Sequence, residues 1–191
     1  MKKLFSFFII ICLATFLASC GATPLKNSDI NKTLGSNYTL PDNSHLDFNS
    51  IADEIISSDS IDGIRVGTTY KSLMVRYGEP ISKSSENKTI SGSLTQEWQY
   101  DDMGADYFMV KSHDDYIINS IKIYGKSPFS TERDIKIGSP ADNVVKAYRN
   151  QINNDLSNEN IIVVGTQEKG MLFTLTDGKV TSIFIGYTNA K

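Results

Sequence analysis

Cysteine is nearly missing from this 191-residue chain: Cys12 and Cys20 are the only two, and none follows residue 20. That excludes a disulfide, a cysteine-ligated zinc site and a thiolate nucleophile from everything beyond that point. Histidine is equally scarce, and the spacing of His45 and His113 suits neither a zinc protease nor another histidine-ligated metal. No run of Lys and Arg occurs, and the formal net charge is −3. Nucleic acid and an anionic bilayer surface are therefore poor partners. The nucleophile elbow, the phosphate-binding loop and the dinucleotide fingerprint are missing too. No cofactor is implied.

What is present starts at the amino terminus. Lys2 and Lys3 precede an uncharged stretch from Leu4 to Leu17. The stretch is too short and wrongly flanked for a stable membrane span, and has the layout of an export signal. It closes on Leu17-Ala18-Ser19-Cys20, followed by Gly21. This ending resembles the lipobox of bacterial lipoproteins. The resemblance implies cleavage after Ser19 and a diacylglyceryl group on the sulfur of Cys20, which anchors the chain to membrane lipid. The alternative is a plain secretory signal with a chance cysteine. A single acyl chain, at about 0.8 kcal/mol per buried methylene, binds only reversibly, whereas two or three on one residue hold permanently. Loss of Lys2 and Lys3 with the leader takes the net charge to −5. The expected location is the cell envelope, on the outer membrane of a Gram-negative cell or otherwise on the outer face of the cell membrane.

Residues 1–19 are thus a signal peptide, and residues 20–60 read as a lipidated flexible tether. Asn, Ser, Thr and Asp dominate there, with Pro24 and Pro41, a composition that buries too little surface to offset ordering entropy. Ile51, Ile55 and Ile56 have the spacing of a short helix that docks on the following domain.

That domain carries an internal repeat. Ile64-Arg65-Val66-Gly67-Thr68 returns as Ile135-Lys136-Ile137-Gly138-Ser139, 71 residues later, and Leu73 and Tyr77 return as Val144 and Tyr148. Thr68 and Ser139 have the chemistry of helix N-caps, Pro140 suits a first helical turn, and Gly78 with Pro80 supplies a stop. Each helix is followed by strand patterns: Glu97 to Tyr100, Tyr107 to Lys111 and Ile117 to Tyr124 in one unit, and Ile161 to Val164, Met171 to Thr176 and Val180 to Tyr187 in the other. His113-Asp114-Asp115 and Asp177-Gly178-Lys179 read as hairpin turns. The expected fold is α+β, with two tandem repeats over residues 61–126 and 127–191, each a short helix packed on an antiparallel β-meander.

Gly67, Leu73, Gly78 and Pro80, followed by Trp98 and Tyr100, form a pattern similar to that of the SmpA/OmlA family of small outer-membrane lipoproteins. The resemblance implies a role in supporting assembly of the machinery that inserts outer-membrane β-barrels. Two such units in tandem also resemble the secreted β-lactamase inhibitor protein, which implies a module that captures an enzyme on its sheet. The second unit departs from the pattern, with Arg149, Asn150 and Gln151 in place of Gly-x-Pro and Val163-Val164 in place of the aromatic pair.

Catalytic readings find little support. Ser85-Glu86-Asn87-Lys88 matches a Ser-x-x-Lys pattern but lies in a polar loop rather than at a helix start. Asp101-Asp102 and Asp114-Asp115 lack the alternation of a calcium loop and read as solvated turns. The chain is expected to act without catalysis, through a protein partner in the envelope, as a scaffold or as a module that captures an exported enzyme or cell-wall component. Placing Ile121, Ile123, Ile183 and Ile185 under the helices turns Lys122, Tyr124 and Phe184 to the opposite sheet face. Tyr107 and Met109 are expected to join them as a partner-binding patch, the alternative being that all five are covered as core. Trp98 and Tyr100 are expected in the core.

Overall fold

The computed structural model describes Asn43 and residues 45–189; the signal peptide, Cys20 and the first part of the tether lie outside the described residues. Helix α1, Phe48–Ser58, is the first element among the described residues. Asp47 caps it, its carboxylate accepting the backbone N–H groups of Asn49 at 3.0 Å and Ser50 at 3.4 Å. Ile51, Ala52, Ile55 and Ile56 share one side at helical spacing; the last three are buried and Ile51 packs against the core. Residues 48–58, within the span read as a tether, form this docked helix, as the spacing of Ile51, Ile55 and Ile56 predicts.

Helix α2, Lys71–Tyr77, is followed by two short strands, β1, Ser82–Lys83, and β2, Asn87–Lys88, then by β3, Leu94–Tyr100. A 3-10 turn at Asp101–Met103 leads to β4, Ala105–Ser112, and β5, Asp115–Tyr124. Helix α3, Ala141–Tyr148, precedes β6, Ile161–Gly165, β7, Lys169–Thr176, and β8, Lys179–Tyr187. The architecture is α+β, with helices on one antiparallel sheet ordered β1-β3-β4-β5-β8-β7-β6, and β2 also on β3. The two meanders are not separate layers. They fuse along β5 and β8, where Ile121 faces Ile185 and Ile123 faces Ile183. All four isoleucines are fully buried, as their alternation predicts.

The helix starts differ from the sequence expectation. Thr68 and Ser139 close the preceding turns rather than cap helices: the Thr68 hydroxyl donates to the Arg65 carbonyl at 2.7 Å, and the Ser139 hydroxyl accepts the Lys136 N–H at 3.0 Å. The helices begin after Tyr70 and Pro140, neither of which makes a side-chain cap.

All three helices cover the same side of the sheet. Ile55 of α1, Leu73 of α2, and Val144, Val145 and Tyr148 of α3 join one core with Trp98, Tyr107, Ile121, Ile185, Met171 and Val164. Helix α1 lies over β6 and β7, close enough that a Cβ on Gly165 would fall 2.8 Å from the Cβ of Ala52. Aromatic rings key the other two helices: Tyr70 meets Trp98 edge to face at 5.4 Å, and Tyr148 meets Phe173 at 5.2 Å. Trp98 and Tyr100 are core, as expected.

Candidate functional site: the helix-free face of the sheet

Side chains directly opposite one another on neighbouring strands share a face. Ladder pairing therefore extends from Ile121 to Tyr107 and on to Trp98, all on the helix side. This overturns the placement of Tyr107 and Met109 in a partner-binding patch: both are buried, Tyr107 fully, and both belong to the core. The face of β4 is set by its neighbours, and a displacement of one residue exchanges the two sides of a strand. The sequence did carry a signal. Asp106 in the run Ala105 to Ser112 puts positions 106, 108 and 110 on the side away from the helices.

Lys122, Tyr124 and Phe184 do lie on that side. Lys122 is opposite Phe184, which is opposite Leu172, which is opposite Val163. In the other direction Lys122 is opposite Asp106, and Asp106 is opposite Gln99. One row of side chains thus crosses the sheet from acidic to apolar. Phe108, Val110 and Ile117 occupy the same face of β4 and β5. None of these six apolar residues (Phe108, Val110, Ile117, Val163, Leu172, Phe184) is part of the core beneath the helices. Phe108, Ile117, Leu172 and Phe184 are each partly exposed. Among the described residues no helix covers this face. Of the sequence-derived candidates, the structure brings together Lys122, Tyr124 and Phe184; Phe108, Ile117 and Leu172 were not anticipated.

Small residues keep part of the face low. Phe108 is opposite Ser120, Ser120 opposite Gly186, and Gly186 opposite Gly170. Gly186, at φ 130°, admits no side chain, since a Cβ there would sit 2.4 Å from the Asn119 carbonyl oxygen. Asn119 is the extra residue of a bulge that shifts the β4–β5 register between Phe108 and Met109. The bulge lets Ile118 and Ile121 both reach the core.

The acidic end of the row has its own chemistry. Asp106 is largely buried and accepts the Tyr124 hydroxyl at 3.0 Å. Burial raises its pKa to about 6, against the opposing effect of the Tyr124 hydrogen bond and with a further push from Glu97. The Tyr124 hydroxyl also lies 3.3 Å from Asp101, and burial followed by the nearby Asp106 charge drives its pKa upward. The Lys122 ammonium sits over the Tyr124 ring, 5.7 Å from its centre.

The long outer strands are covered along their free sides. On one side β3 is paired by the two-residue strands β1 and β2, which are themselves the outermost. On the other, the Asn153 N–H donates to the Val163 carbonyl at 2.8 Å, the Val163 N–H donates to the Ser157 hydroxyl at 3.0 Å, and the Asn153 amide donates to the Gly165 carbonyl at 3.0 Å. Partners that add a strand need an unpaired edge. Here the exposed edge is only two residues long in each of β1 and β2, and the face is the larger surface.

The remaining candidates fall apart in space. Asp101 and Asp102 form the 3-10 turn and Asp115 pairs with Lys71 at 2.8 Å. His113 sits in the β4–β5 turn and His45 precedes α1. Among the described residues no three His, Cys, Asp or Glu side chains assemble as metal ligands. A shallow cleft of about 300 Å³ is lined by Arg133, Lys146 and Arg149. Arg133 is engaged by the fold there, donating to the Ala147 carbonyl at 2.7 Å and covering the Tyr148 ring.

No protein-family model, curated protein or solved structure matches this chain.

Proposed function

We propose that this chain is a lipid-anchored envelope lipoprotein that acts without catalysis, as an assembly or scaffold module that holds a protein partner on the helix-free sheet face. The observation that carries the reading is the row Asp106, Lys122, Phe184, Leu172, in which Phe184 and Leu172 are partly exposed apolar side chains outside the core beneath the helices. Aromatic and aliphatic anchors on a well-supported surface are what protein partners use. The shortness of the edge strands β1 and β2 favours the face over strand addition.

The domain is read as two copies of one helix-plus-meander unit. Supporting this, the Gly67 N–H donates to the Ile118 carbonyl at 2.7 Å and the Ile118 N–H returns to Thr68 at 2.9 Å. The Gly138 N–H donates to the Val180 carbonyl at 2.7 Å and the Val180 N–H returns to Ser139 at 2.9 Å. Gly67 and Gly138 hold φ of 84° and 86°, a conformation that favours glycine. The anchor is Cys20, whose lipid would place the domain at a membrane surface.

Two measurements test the proposal. Metabolic labelling with a fatty-acid analogue should mark the wild type and not Cys20→Ala; equal labelling refutes the anchor. Affinity capture from the native envelope with the lipid intact should recover assembly components, and Phe184→Ser should lose them. Recovery of a soluble exported enzyme instead would assign the face to an inhibitor.

A further inference from the structure

We propose that the segment received by this face carries a lysine or arginine next to bulky apolar side chains, its cation meeting Asp106, Glu97 and Asp101 while its apolar groups lie on Phe184, Leu172 and Phe108. The inference rests on the face being the docking surface and adds the chemistry of the occupant.

Charge complementarity carries it. Three carboxylates gather at one end of the face: Asp106, Asp101 through the shared Tyr124 hydroxyl, and Glu97, on the residue opposite Phe108. Lys122 is the one cation in the row, and it lies over the Tyr124 ring rather than in an ion pair with the aspartate opposite it. Among the described residues no cation of the chain comes within ion-pair distance of Asp106, although that carboxylate is only 7% exposed. Lys122 attracts this carboxylate only from beyond ion-pair distance and offsets less than burial costs it; an incoming ammonium or guanidinium at contact distance would compensate it further. An acidic occupant would meet like charge in a site already poor in water, which selects against it.

The apolar end supplies the second half of the recognition. Phe184 and Leu172 are adjacent across β7 and β8, and Phe108 flanks the low strip of Ser120 and Gly186. A cation alone would bind weakly at such a surface, and apolar groups alone would not choose an orientation. Together they fix which end of the segment lies over β4 and which over β7.

The test is selection of displayed random peptides on the full-length protein in detergent micelles. Recovered peptides should be enriched in Lys or Arg together with Leu, Phe or Trp. Their affinity should fall at least tenfold on Phe184→Ser and on Leu172→Ser, with folding of both variants verified by urea unfolding. It should fall several-fold on Asp106→Asn at pH 7.5. For the wild type, binding should weaken as pH falls through about 6, where Asp106 gains its proton among Glu97, Asp101, Lys122 and Tyr124; for Asp106→Asn that dependence should shrink. Peptides that need Phe184 but are neutral or acidic, and are indifferent to Asp106→Asn, would overturn the cation requirement and leave the docking face standing. Peptides indifferent to both Phe184→Ser and Leu172→Ser, or no enrichment at all, would overturn both.

Discussion

The Tyr148 hydroxyl donates to the buried carboxylate of Asp59 at 2.8 Å, tying α3 to the residue that ends α1. Asp59 also accepts the backbone N–H groups of Ser60 at 2.8 Å and Glu132 at 3.0 Å. Three residues later Asp62 accepts the Tyr77 hydroxyl at 2.7 Å, with Arg76 on the same oxygen at 2.8 Å. The two tyrosines that end the two helices are thus held by aspartates of one short connector. Burial, reinforced by the neighbouring aspartate, pushes both phenols above the ordinary tyrosine range.

Asp59→Ala strands a buried hydroxyl and two backbone donors, and should lower unfolding free energy by about 3 kcal/mol. Asp62→Ala acts on a more exposed side chain and should cost about 1 kcal/mol. Urea unfolding of the two variants measures the difference.

The two faces of the sheet, Tyr107 on the helix side of β4 and Phe184 on the helix-free side of β8, should respond differently to substitution. Tyr107→Ser opens a cavity in the core and should cost about 3–5 kcal/mol. Phe184→Ser, on the helix-free face, should cost about 1 kcal/mol or less while abolishing partner capture. Equal destabilisation would mean that the second face is core as well.

The docking of α1 depends on the missing side chain at Gly165. Gly165→Val forces a side chain into Ala52 and a strained backbone at φ 104°. Limited proteolysis should then cut within residues 45–60, a segment that the wild type protects. Loss of the Asp53–Lys169 ion pair, 2.6 Å long and largely exposed on the Asp53 side, should leave the helix docked.

Asp106 sets a pH dependence of stability. Its folded pKa, about 6, lies above an unfolded value of about 3.9. The folded state therefore binds the proton more tightly, and stability falls as pH rises from about 4 to about 6. Asp106→Asn should remove that slope and gain about 1–3 kcal/mol at pH 7. Thermal unfolding at pH 4.5 and pH 7 reads both effects.

The sequence by itself determined the three helices and the six long strands, though not the short strands β1 and β2 or the residues at which α2 and α3 start. Glycines 67, 78 and 138, the Asp177-Gly178 turn and the isoleucine alternation of β5 and β8 are local instructions, written in backbone dihedrals and in the period of the side chains. They were enough for the α+β class and for placing Lys122, Tyr124 and Phe184 away from the helices. Only tertiary structure decided the rest. The inward turn of Tyr107 follows from its pairing with Trp98 and Ile121, and the outward turn of Phe108 from its pairing with Glu97 and Ser120. The fusion of both meanders through β5 and β8, and the burial of Asp106, likewise arise where strands meet. A strand's alternation states that its two faces differ, and its neighbours settle which one meets the core.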